Sequence, residues 1–108
     1  MSLGYQDDQP TRDEVDALPG ATVLEFGQNW CGICRAATPD IDRVLNARPE
    51  LRRIKVADGK GLPLGRSFGV KLWPTLVLMR DGIEVARVVR PNSAAEIEQA
   101  LHEAGLGE

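Results

Sequence analysis

A chain of 108 residues, 43% hydrophobic and 27% charged, is long enough to bury one core and too short for two domains. Its net charge of −3 offers no basic surface for nucleic acid or an anionic membrane. The longest uncharged apolar stretch, residues 72–79, is far too short to span a bilayer.

In chain order, residues 1–10 are polar and read as a flexible segment ahead of a domain over residues 11–108. They hold no apolar run, so they are not a signal peptide, and a cytoplasmic protein is expected. Met1-Ser2-Leu3 is also compatible with the removal of a natural leader, which leaves a periplasmic or secreted origin open. Thr11-Arg12-Asp13-Glu14 has the pattern of a capping box and predicts a short helix with Val15 and Leu18 inward, ended by Pro19-Gly20. Residues 21–26 form a compact apolar run, a buried strand interrupted by Glu25.

A longer helix is predicted from the Trp30-Cys31-Gly32-Ile33-Cys34 segment to about Ala47. Cys34, Ala37, Ile41, Val44 and Leu45 fall on one face at helical spacing, and Pro39 lies inside, where it should kink the helix. Residues 51–57 read as a strand with Ile54 and Val56 on one face. Residues 61–68 support only a short or irregular helix. Residues 75–79 and 83–89 are strands joined by a tight Asp81-Gly82 turn. Ser93-Ala94-Ala95-Glu96 opens a last helix as a second capping box; Ile97, Ala100, Leu101 and Ala104 form its apolar stripe and Gly105 its stop. This order predicts an α/β fold: one mixed sheet of about four strands flanked by helices on both faces.

The chemistry concentrates in Cys31 and Cys34, the chain's two cysteines. Three residues apart at a helix start, they are close enough to close a small disulfide ring or to bind a metal. A zinc site normally needs four ligands, whereas the only histidine, His102, sits in the last helix and reads as a surface residue. No metal is therefore expected. A purely structural disulfide would close too short a loop to stabilise much. The partial positive charge of a helix N-terminus favours a thiolate, so thiol–disulfide exchange is the expected chemistry. The helical periodicity makes the thiols unequal, with Cys31 exposed at the first turn and Cys34 turned to the core.

These landmarks, with Pro39 five residues beyond the motif, the Trp73-Pro74-Thr75 segment and the Asp81-Gly82 hairpin, resemble the thioredoxin-fold family over roughly residues 11–104. The resemblance implies that Cys31 is the nucleophile and Cys34 the resolving cysteine. It also implies that Pro74 is a cis-proline beside the dithiol and that Trp30, Gly32, Ile33, Trp73 and Pro74 form the substrate surface. Glu25 matches a buried acidic position below the resolving cysteine, where burial would favour its protonated form and suit it to relay a proton. The alternative for Glu25 is a strand-edge position that reaches solvent or pairs with Arg53 or Lys55. Three departures stand out. Ile33 replaces the usual proline, Trp73 is bulkier than the family's residue, and the first strand of larger members has no counterpart in residues 1–10.

The leading expectation is a monomeric oxidoreductase that reduces disulfide-containing proteins. It would need no cofactor of its own, and since no G-x-G-x-x-G fingerprint exists, a separate reductase would supply electrons. A disulfide oxidase or isomerase, and a non-catalytic chaperone or assembly factor using Trp30 and Trp73, remain the alternatives. No nucleic acid or membrane partner is expected.

Overall fold

The computed structural model describes residues 4–106. Met1-Ser2-Leu3, and with them the reading of a removed leader, lie outside the described residues. In chain order the elements are α1 (Arg12–Asp16), β1 (Ala21–Gly27), α2 (Gly32–Asn46), β2 (Arg52–Ala57), α3 (Pro63–Ser67), β3 (Thr75–Arg80), β4 (Ile83–Val89) and α4 (Ala94–Glu103). The four strands form one sheet in the order β2-β1-β3-β4, with β1 and β2 parallel and the remaining pairs antiparallel. The βαβ unit through α2 imposes the parallel pair, and the hairpin imposes the antiparallel edge. No helix among the described residues is long and apolar enough to cross a membrane.

Strand alternation sorts the core into two layers. Val23, Leu76 and Leu78 pack on one face with Ile41 and Val44 of α2 and Ile97 and Leu101 of α4. Leu24, Phe26, Val56, Val77 and Met79 pack on the other with Val15, Leu64 and Phe68. The period of two thus places Glu25 and Gly27 beside Val23, on the face that α2 covers.

Local signals act as the residue types dictate. The Thr11 hydroxyl accepts from the Glu14 N–H at 3.1 Å, and Glu14 accepts in return from the Thr11 N–H at 2.8 Å. The second capping box is only half formed. Ser93 accepts from the Glu96 N–H at 3.2 Å, but Glu96 reaches past it to the Asn92 N–H at 3.1 Å. Asp81 and Gly82 both have positive φ, 51° and 80°, as a two-residue hairpin requires. Helix α2 runs unbroken through Pro39.

Residues 4–10 correct the expectation of a flexible segment. Gln6 bridges to Val56: its N–H donates to the Lys55 carbonyl at 3.3 Å, and its carbonyl accepts from the Ala57 N–H at 2.8 Å. Tyr5 is buried, at 6% exposure. The free edge of β2 presents unpaired backbone groups, and this stretch satisfies part of them while Tyr5 covers the sheet end.

Candidate active site

Cys31 is the N-cap of α2, and its Sγ accepts the Cys34 N–H at 3.3 Å. Both cysteines are free thiols. Cys34 is fully buried as its helical face demands, but Cys31 is less open than expected, at 9% exposure. Leu62 and Trp73 pack against the cluster of Tyr5, Cys31, Cys34 and Ala57. Burial alone would push the Cys31 thiol up. Hydrogen bonds from the Cys34 side chain and from the backbone of Cys34 and Ile33, with the charge of Arg90, outweigh it and hold the thiol below its ordinary value. Cys34 goes the other way, pushed up to about 11 by burial first and then by its hydrogen bond with Cys31. One helix turn therefore holds one thiol ready to ionise and one that resists.

Glu25 is fully buried, as one expectation had it; β1 is an interior strand, so the edge position reaching solvent is corrected, and only the pairing of that alternative holds. Its Oε1 accepts from Arg53 Nη2 at 2.8 Å and Nε at 3.2 Å, and Lys55 Nζ stands 3.8 Å from Oε2. Arg53 also meets Asp42 of α2 at 2.7 Å. Tyr5 Oη completes the shell, donating to Oε2 at 2.9 Å. The carboxylate therefore sits in a cage of donors, where the sequence suggested an apolar pocket. The cause is register: Glu25 pairs with Lys55 across β1 and β2, so Lys55 and its neighbour two residues back, Arg53, share its face.

Above the thiols lies an apolar rim. Trp30 is 71% exposed and Ile33 and Leu72 are 45% and 47% exposed. Gly32 is exposed between the cysteines and Pro74 is buried, joined to Trp73 by a cis peptide bond. Trp73 meets Trp30 edge-on, with ring centroids 5.6 Å apart. It is half-buried, and its Nε1–H donates to Asp58 Oδ2 at 2.8 Å. Both readings of this residue, surface and core, are therefore partly met. The Trp73 carbonyl accepts from Arg90 Nε at 2.9 Å. His102 is exposed in the last turn of α4, away from this assembly.

Sequence reasoning missed Tyr5, Asp58, Leu72 and Arg90. Tyr5 alone carried a signal, as a single aromatic residue in a polar segment; Asp58 and Arg90 reach the site only through the fold.

The family model for thioredoxin matches residues 6–103. The chain belongs to the thioredoxin family. Thioredoxin-1 of Saccharomyces cerevisiae is 33% identical over 89 residues, which span 82% of this chain and 85% of that protein. Thioredoxin of Chlamydia pneumoniae is 34% identical over 70 residues, 65% of this chain and 69% of the relative. Among solved structures, thioredoxin 2 from Pseudomonas aeruginosa PAO1 in its reduced form is 53% identical, covers 96% of each chain and superposes with a TM-score of 0.86. Like these members of the family, the chain is a thiol–disulfide oxidoreductase.

Proposed function

We propose that the chain reduces protein disulfides, with Cys31 as the attacking thiol and Cys34 as the resolving thiol. The opposite perturbation of the two thiols carries this reading. The Cys31 thiolate attacks one sulfur of the substrate disulfide, and the other sulfur leaves and takes a proton from water. Cys34 then loses its proton and attacks Cys31 Sγ. The substrate's second sulfur leaves, and a Cys31–Cys34 disulfide remains for a separate reductase to open. Glu25 supports the second step by taking up the proton that Cys34 loses.

Trp30, Gly32, Ile33, Trp73 and Pro74 present the substrate to Cys31. An open depression of about 390 Å³ beside Ile33, bounded by Ala36, Asp40, Arg90 and Asn92, gives an extended chain room to lie along the rim. The expected setting is the cytoplasm, whose thiol poise keeps such a dithiol reduced.

Cys34→Ser should accumulate covalent adducts with disulfide-bonded proteins such as insulin, and Cys31→Ser should accumulate almost none. The reverse pattern would invert the roles. No adduct with either variant, together with a wild type inert toward insulin, would point to a binding module. The redox potential measured against glutathione decides between a reductase and an oxidase.

A further inference from the structure

Tyr5 is the chain's one tyrosine, and it precedes the residues that the family model matches. Its place is made by Gly27, which shares the α2 face with Glu25. A Cβ on Gly27 would stand 2.6 Å from Tyr5 Cζ and 2.8 Å from both Tyr5 Oη and Cys34 Sγ. Only a residue without a side chain leaves the phenol and the thiol this room. The Tyr5 hydroxyl donates to Glu25 Oε2 at 2.9 Å, and Cys34 packs beside it in the same cluster over Gly27. One hydroxyl therefore lies beside the thiol that must lose a proton and is bonded to the carboxylate.

We propose that Tyr5 is the proton bridge of the resolving step, passing the proton of Cys34 to Glu25 as Cys34 attacks Cys31. This rests on the roles proposed above for the two cysteines. The Cys34 S–H bond breaks and its proton joins the Tyr5 oxygen, while the proton Tyr5 carried passes to Glu25 Oε2. The sulfur's electron pair forms the bond to Cys31 Sγ, and the bond from Cys31 to the substrate sulfur breaks. That sulfur leaves with its electron pair and is protonated by water. Over both steps two electrons pass from the dithiol to the substrate disulfide, and Tyr5 ends as it began.

The surroundings fit a neutral bridge. Burial first, and then the charge of Glu25, push the Tyr5 hydroxyl far above its ordinary value, so it keeps a proton to donate. The charged groups that face this chain are Glu25 from β1, Arg53 and Lys55 from β2, Asp42 of α2 through Arg53, and Cys31 at the helix N-cap. Lys55 Nζ also lies 4.6 Å from the Tyr5 ring centre.

Dithiobis(nitrobenzoate) reports the two half-reactions separately, because each sulfur exchange releases one coloured thiolate. Wild type should show a fast phase for Cys31 and a second phase for resolution by Cys34. Tyr5→Phe keeps the ring over Gly27 and removes the hydroxyl. It should leave the first phase unchanged, slow the second roughly ten- to a hundredfold, and move its inflection to higher pH. In wild type the second phase should also slow in D2O more than the first. An unchanged second phase and pH profile in Tyr5→Phe would overturn the bridge, as would equal slowing of both phases. If that variant does not fold, a second phase as fast in D2O as in water overturns it. A wild type that releases one thiolate only would instead refute the assigned cysteine roles.

Discussion

Cys31 and Cys34 share a side chain, a helix turn and a hydrogen bond, yet they titrate in opposite directions. Position on the helix decides it. The N-cap receives backbone donors, whereas the position one turn in is sealed by the core. In the reduced protein, alkylation of Cys31 should rise with pH and level off below the ordinary value of 9.0, because the thiolate is the reactive form. Cys34 should stay unlabelled until the pH nears about 11, where its thiol ionises. Mass spectrometry of partly labelled protein reads both, and equal rates would remove the asymmetry. Trp73 belongs to the same scale. Bound by Asp58 and braced on Trp30, its indole is a fixed anchor rather than a mobile one. Trp73→Thr should weaken reaction with a protein disulfide by roughly 30-fold, about 2 kcal/mol of lost contact. Reaction with a small disulfide should change little, and kinetics on both substrates would separate the two effects.

Between elements, the Glu25–Arg53–Asp42 chain ties β1, β2 and α2 together beneath the dithiol. Glu25 is fully buried, so removal of its cation leaves a charge with too few partners. Arg53→Met should cost about 3 kcal/mol in urea unfolding, and Arg53→Met with Glu25→Leu should recover much of it, because a buried ion pair is worth little against apolar packing. A single variant as stable as the wild type would mean that Lys55 and Tyr5 suffice. The β3–β4 hairpin shows a similar dependence on a partner element. Gly82 has φ +80°, and a Cβ there would fall 1.9 Å from the Asp16 carbonyl oxygen at the end of α1. Gly82→Ala should therefore destabilise by more than the ~1 kcal/mol that a positive φ costs alone.

Across the whole molecule, the segment before α1 closes the active-site end of the sheet. Tyr5 reaches from beside the β2 edge, over Gly27, to Cys34, so the segment before α1 and the β1–α2 junction share one cluster. Tyr5→Ala should cost about 3 kcal/mol through the cavity it leaves, and should also make Cys34 accessible to alkylation. Loss of stability without new Cys34 labelling would show that other groups seal the thiol.

Much of this was legible in the residues. Apolar runs marked β1 and β3, helical periodicity marked α2 and α4 and made the two thiols unequal, turn chemistry placed the hairpin, and the C-x-x-C spacing at a helix start singled out the dithiol. Those signals are local: each depends on neighbours within one or two turns of chain. What the tertiary structure decided was everything that depends on register and on pairs distant in sequence. Whether Glu25 would be buried or paired was undecidable because β1–β2 register, which brings Lys55 and Arg53 to its face, leaves no mark in either strand alone. Tyr5 was passed over because a polar segment without periodicity carries no sign of the sheet edge it will meet. Asp58 and Arg90 were invisible for the same reason: a hydrogen bond to Trp73 from 15 or 17 residues away exists only once the chain has folded back on itself.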